Sequence, residues 1–324
     1  MRRQLAALAA ALTLGACAGV TSIPPASLSG TDGWTPVAAG VREVGLGLPG
    51  GAHLADGVRF AGGLELIASE ASPLHSLSDL KISGDQVYAV TDAGDLTRFR
   101  LNLNPATRNL IGVGQLAVRR LTLRDGRPIV DKVDGDAEGL LFSAAGDLVV
   151  SFERDHRMWS YGQPTALRAP LPIRSPDFAF ASNAGMEAIA AGPGGWRVAG
   201  ESGGVWDCSP AACVEVVAPP ATPLPDDEYR ITGMDRDPSG DGWFVVQRSY
   251  RPPVDARARI RRMAPDGSLG PVLIELKLPG TTDNFEGVTA EARQDGVRLY
   301  LLSDDNGSAV QRTLLLAFDV RRAH

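Results

Sequence analysis

The chain has 324 residues and a formal net charge of −6, so its charge balance does not favour a phosphate backbone and excludes nucleic acid as the expected partner. Gly (37) and Pro (23) are abundant and long amphipathic runs at a 3.6-residue period are missing, which excludes an all-helical fold. The GxSxG nucleophile elbow, the Walker loop and the dinucleotide-binding fingerprint are also absent from the sequence.

In chain order, residues 1–16 (MRRQLAALAAALTLGA) place two arginines before an apolar run too short to span a bilayer. This reads as an export signal. Leu14-Gly-Ala-Cys17 reads as a lipobox, with Cys17 lipidated; an ordinary secretory signal with a chance Cys is the plainer alternative. Ala18 after that Cys resembles outer-membrane lipoproteins of Gram-negative bacteria. The expected location is therefore periplasm-facing and lipid-anchored. Residues 17–40, rich in Ser, Thr, Pro, Gly and Ala, read as a flexible tether, and residues 41–324 as the folded domain.

Five copies of a short motif follow, with the aligned slot at Ser78 in LSDL, Glu138 in AEGL, Glu187 in MEAI, Thr232 in ITGM and Glu286 in FEGV. Their spacing is close to the ~40–50 residues of a four-stranded propeller blade. After each slot come a turn signal and a second β-like run: VYAVTD ending at Asp92, LVVSFE at Glu153, RVAGE at Glu201, FVVQ at Gln247 and LYLLSD at Asp304. LTRFRL, HRMWSY, GVWDC, RARIRRM and RTLLLAF are third strands, and QLAVRRLTL, TALRAPLPI, CVEVVA and PVLIELKL are fourth strands. The fifth copy lacks a fourth strand. Val58–Ile67 can supply it, closing a ring by pairing the two ends of the chain. The expected fold is all-β: a β-propeller of five four-stranded blades. The run Val41–Leu48 is a spare strand that keeps six blades open.

Antiparallel pairing puts the start of each first strand beside the end of the second. Glu138 and Glu153, Glu187 and Glu201, and Glu286 and Asp304 should then converge on one mouth of the central channel, with Asp92 nearby. Gly139, Ala188 and Gly287 after the slots would let strands crowd near the axis. Carboxylates this close raise one another's pKa. A hard cation such as Ca2+, with Glu138, Glu187, Glu286 and Asp304 as ligands, would relieve them. Protonated carboxyls acting as acids, or neutralising arginines, are the other outcomes. Glu138, Glu153, Glu187, Glu286 and His156 are the catalytic candidates, with Arg154 and Arg248 as contacts for an anionic group. The plain alternatives are a structural ion-pair ring, a polar turn at Asp304-Asp305-Asn306 and a structural His156. Cys208 and Cys213 (CSPAAC) form an even pair suited to a disulfide after export, with two free buried thiols as the alternative.

DAEGLLF with VVSFERDHRMWSY, NAGMEAIA, RITGMD with VVQRS, and DNFEGVTA with LLSDDNGSAVQRTLLLAF together resemble the phytase-like family, the "esterase-like activity of phytase" domain, from about Phe60 to Val320. The resemblance implies hydrolysis of phosphoesters or esters carried by Asp and Glu, here Glu138, Glu153, Glu187, Glu286 and Asp304, with Arg154, His156 and Arg248 as phosphate contacts. Two departures stand out: Asp79 where similar sequences have Gly, and Gln247 where an acid is common. The expected function is an exported propeller hydrolase acting on a small anionic or ester substrate as a monomer. The alternatives are a non-catalytic envelope propeller that binds a ligand or protein partner, and a calcium-dependent lactonase-like enzyme.

Overall fold

The computed structural model describes residues 21–23 and 33–322. The first 16 residues, Cys17 and most of the expected tether lie outside the described residues. Five antiparallel sheets account for nearly all of the regular structure, and Lys132–Gly135 is a single helical turn. No helix among the described residues is long and apolar enough to cross a membrane.

Each sheet is one blade. The innermost strands are Leu77–Ser83, Ala137–Phe142, Ala188–Gly192, Arg230–Arg236 and Asn284–Arg293, in blades 1 to 5. Each of these strands contacts the next, and blade 5 returns to blade 1, so the ring is closed. The closing pair is the expected one. Val58–Ile67 runs antiparallel to Thr313–Arg321, with Leu64 opposite Leu315 and Phe60 opposite Phe318. Both ends of the chain thus share blade 5, and no inner sheet edge is left open.

Six blades do not form. Of the spare run, Ala39–Glu43 is a strand that pairs with Val58–Ile67 of blade 5, and Thr21–Ile23 pairs with it in turn at the outer edge. Thr35–Pro36 adds to the outer edge of blade 1, and Trp34 is buried there among Tyr88 and Leu121. The folded body therefore begins before residue 41. An indole needs a dry surface, and the outer face of blade 1 offers one.

The core is divided among the blade interfaces. Five apolar clusters each draw on two neighbouring blades; Leu140 and Val150 of blade 2, for example, meet Val90 and Leu96 of blade 1. A blade is covered on both faces, so its central strands read as continuous apolar runs. Leu148–Phe152 is buried throughout, as is Trp243 to Gln247 in blade 4. Truncating one of these side chains, such as fully buried Leu80, should cost about 2–5 kcal/mol.

Candidate functional site

The local device that builds the site is a repeated irregularity. In four blades the strand register slips at the slot residue, between Leu77 and Asp79, Ala137 and Gly139, Ile231 and Gly233, and Phe285 and Gly287. Ser78, Glu138, Thr232 and Glu286 are the extra residues of these β-bulges. A bulge bends the strand and re-aims a side chain, and here it frees the slot residue from the pleat at the channel mouth. In blade 3, Glu187 sits just before the strand Ala188–Gly192.

Glycine after the slot makes room for the neighbouring blade. A Cβ on Gly233 would lie 2.0 Å from the Glu286 carbonyl oxygen, and one on Gly139 would lie 2.7 Å from that of Glu187. Slot backbones therefore press against the glycine of the preceding blade. Blade 3 has Ala188 in the glycine position, and blade 1 departs further, with Asp79 there. Its carboxylate accepts the Leu140 N–H of blade 2 at 3.0 Å and pairs with Lys81 at 2.6 Å. Complete burial pushes the Asp79 carboxyl up to about 7 against the pull of Lys81.

The slots bring acids from several blades into one electrostatic unit. Burial, then the charges of Glu286, Asp136, Glu153 and Asp304, hold Glu138 well above the ordinary carboxylate range. Burial, then Glu201, Glu138 and Glu286, does the same to Glu187. Burial, then Glu286 and Asp92, raises Asp304. Glu153 and Glu286 are each pushed up to about 7, chiefly by burial. Mutual repulsion of this kind requires that the acids share one low-dielectric space.

Two halves of the mouth handle this charge differently. On the blade 2 side, one oxygen each from Asp136, Glu138 and Glu153 lies within 4.8 Å of the others. Gly185 donates its backbone N–H to Glu153 Oε1 at 3.1 Å, and Arg154 and Lys132 flank Asp136. An all-oxygen set of this span fits the shell of a hard cation, whose ligand distances are about 2.3–2.6 Å. On the other side Arg248 fills the space. Its Nη2 lies 2.9 Å from Glu201 Oε1, its Nη1 lies 3.7 Å from Glu286 Oε1, and it also donates to Asn284. Burial alone would lower the guanidinium pKa; Glu286, Glu187 and Glu201 overcome it and raise it. Arg230 adds a second contact to Glu201 at 2.8 Å, and Asn284 donates to Glu286 Oε1 at 2.7 Å.

The expected ligand set of Glu138, Glu187, Glu286 and Asp304 is thus not the tight one. Glu138 belongs to the compact triad, and its companions are Asp136 and Glu153. Glu187 and Glu286 face Arg248 instead, and Asp304 is capped by the Asn306 N–H at 2.6 Å. Arg154 points to Asp136 rather than into open space. His156 packs beside Gly185, next to Glu153, with its Nδ1 buried and without a hydrogen-bond partner among the described residues. Its Nε2 meets the Ala181 carbonyl at 3.0 Å, and its ring packs on Phe180 with centroids 5.4 Å apart. Gln247 turns to the Tyr229 carbonyl at 3.3 Å, leaving the following Arg248 to enter the mouth. Asp305 lies outside the ring and fixes His75, at 2.7 Å, and the Ser76 N–H, at 2.9 Å. Cys208 and Cys213 are disulfide-bonded at the outer hairpin of blade 3.

Asp136, Arg230 and Asn284 were missed by the sequence reading. All three lie two residues before a slot, at Glu138, Thr232 and Glu286. The β-bulge at each of these slots breaks the period-two alternation of the strand, so spacing alone did not mark them.

Fold and site together define a five-bladed propeller with a carboxylate-lined axial mouth. The chain belongs to the phytase-like family, described as esterase-like activity of phytase, whose model matches residues 72–307. No curated protein matches it. Among solved structures it is similar to a putative gluconolactonase, at 13% identity and TM-score 0.45 over 86% of this chain and 96% of that one. A catalytically inactive virginiamycin B lyase from Staphylococcus aureus aligns at 12% identity and TM-score 0.42 over 86% and 98%. The allergen Mala s 1 of Malassezia sympodialis aligns at 13% identity and TM-score 0.44 over 84% and 92%. Likenesses this distant do not carry a function across.

Proposed function

We propose that the protein is a cation-assisted hydrolase of phosphoester or ester bonds, working at the axial mouth. The observation that carries this reading is the convergence of Asp136, Glu138 and Glu153 within 4.8 Å, with the Arg248 guanidinium on the other side of the mouth. Asp136, Glu138 and Glu153 would hold the ion, with Ca2+ suited to their hard oxygens. Such an ion, when bound, polarises the scissile group or lowers the pKa of a bound water. Arg248 faces the same space and orients an anionic oxygen. Glu286, outside the triad and pushed up to about 7, is matched to taking a proton from water near neutral pH. Export through the N-terminal signal and attachment through lipid at Cys17 would present the mouth to the periplasm.

A ring that binds a ligand without turning it over is the second reading. The saturation of Arg248 by Glu201, Asn284 and Glu286 favours it. Purified protein assayed on phosphoesters, carboxylic esters and lactones, with and without calcium, separates the two. Turnover that disappears in Glu138→Gln and Glu286→Gln supports the hydrolase. Turnover that both variants retain removes it, and calcium-dependent heat stabilisation without turnover supports the binding protein.

A further inference from the structure

A cleft of about 550 Å³ opens from the mouth between blades 4 and 5. The hairpin of blade 4 forms one wall. Its strands continue past the Arg248–Ala258 pair through Tyr250–Ala256 to Arg251–Asp255, and so stand above the ring. The segment after the outer strand of blade 4 and the 306–312 loop of blade 5 form the other wall. The walls are fixed in place. Thr282 donates its hydroxyl to the Ala256 carbonyl at 3.0 Å, and the Tyr250 hydroxyl bonds to the Pro253 carbonyl at 2.9 Å.

The chemistry of these walls is unusual for loop tips, which ordinarily carry small polar residues. Tyr250, Val254, Leu278 and Val310 all line the cleft and are exposed; Val254 is 66% and Val310 89% accessible. Isolated exposed apolar residues mean little, but several lining one concavity mark a contact surface. The cleft floor is Arg248 and Asn284, the same side chains that touch Glu286 in the ring. The cleft is therefore continuous with the site rather than a separate depression. Its volume and its mix of apolar wall with a few convergent polar groups are those of a small-molecule pocket.

We propose that this cleft binds the apolar body, acyl or aryl, of an ester whose oxyanionic end lies at Arg248. The inference rests on the reading of the mouth as the reactive end. It narrows the substrate class, because the lining gives a densely phosphorylated polyol only two arginines, both already paired with acids, against four exposed apolar side chains. Arg312, the other cation of the cleft, is held by Asp283 at 3.3 Å and the Thr282 carbonyl at 3.1 Å. Four apolar side chains offer a polyanion nothing in exchange for its water.

The test compares hexylphosphonate with methylphosphonate, two non-hydrolysable probes, by calorimetry on the full protein in calcium-containing buffer. Each buried methylene contributes favourably, so hexylphosphonate should bind roughly tenfold tighter or more. In Val254→Asp and Val310→Asp, both at exposed positions that the fold does not depend on, that ratio should collapse towards one. Equal affinity of the two probes in the wild type, no binding of either, or a ratio unchanged in both variants overturns the proposal. So does a concentration-dependent dimer that both substitutions dissolve, since the patch then belongs to a second copy of the chain. Turnover is read separately: hexyl selectivity without hydrolysis of any ester removes the catalytic reading and leaves the subsite standing.

Discussion

Arg248 of blade 4 and Glu201 of blade 3 meet at 2.9 Å inside the channel mouth, and Arg248 also reaches Glu286 of blade 5. One guanidinium thereby links three blades across a space where burial and repulsion raise the carboxyls of Glu187, Glu286 and Asp304.

Removing that charge should leave buried acids uncompensated. Arg248→Met is expected to destabilise the protein by about 3 kcal/mol or more at mildly alkaline pH, the scale for breaking a buried ion pair. In mild acid the loss should be smaller, because Glu187 and Glu286 take up protons readily in the fold. Urea unfolding at two pH values measures both. An equal loss at each pH would mean that the acids do not depend on Arg248.

The raised carboxyls also set a pH slope. Glu153 and Glu286 sit at about 7 against ordinary values of 4.5. Groups that hold their protons more tightly when folded stabilise the fold below the unfolded pKa. That contribution disappears as pH rises through the folded value, here between about pH 4.5 and about pH 7. The melting temperature of calcium-free protein should therefore fall by ~3 °C or more over that window. Saturating calcium should flatten the slope. A melting temperature that rises across the same range without calcium would be the contrary result.

The glycines that follow three of the slots, Gly139, Gly233 and Gly287, should resist substitution for a steric reason. Gly233→Ala drives a methyl to 2.0 Å from the Glu286 carbonyl, whereas a Cβ on Gly45 meets nothing within 4 Å. The first should cost about 1–3 kcal/mol or more, as overpacking does, and the second less than about 0.5 kcal/mol. Denaturant midpoints compare them directly.

The disulfide closes a short loop, with a sequence separation of 5 at the edge of blade 3. The entropy of so small a ring sets its contribution near 2 kcal/mol. Replacing both cysteines by serine should lower stability by about that amount and leave the mouth, on the opposite end of the blade, able to bind calcium.

The propeller was legible because its signals are local and repeated. Turn residues punctuate every hairpin, and the apolar run Leu148–Phe152 looks the same wherever it sits in a blade. Pairing of Val58–Ile67 with Thr313–Arg321 could be read from the missing fourth strand alone. Convergence of Glu138, Glu187 and Glu286 followed from antiparallel geometry. What was not legible depends on register. The bulges at Ser78, Glu138, Thr232 and Glu286 decide which way each slot points, and no residue type marks them. Gln247, in the position where an acid is common, turns to Tyr229, and Arg248 takes the mouth. The contact of His156 with Ala181 was likewise hidden, because it is set by the loop between blades 2 and 3. Trp34 was hidden by its Ser-, Pro- and Gly-rich surroundings, since edge strands of two residues leave no periodicity to detect.

The central claim is that the mouth holds a hard cation on Asp136, Glu138 and Glu153. Calorimetric titration of calcium into chelator-treated protein, wild type beside Glu138→Gln, tests it most directly. The account predicts one ion per chain, bound about tenfold or more weakly once a charged ligand is lost. No heat of binding in the wild type, or equal affinity in the variant, would contradict it.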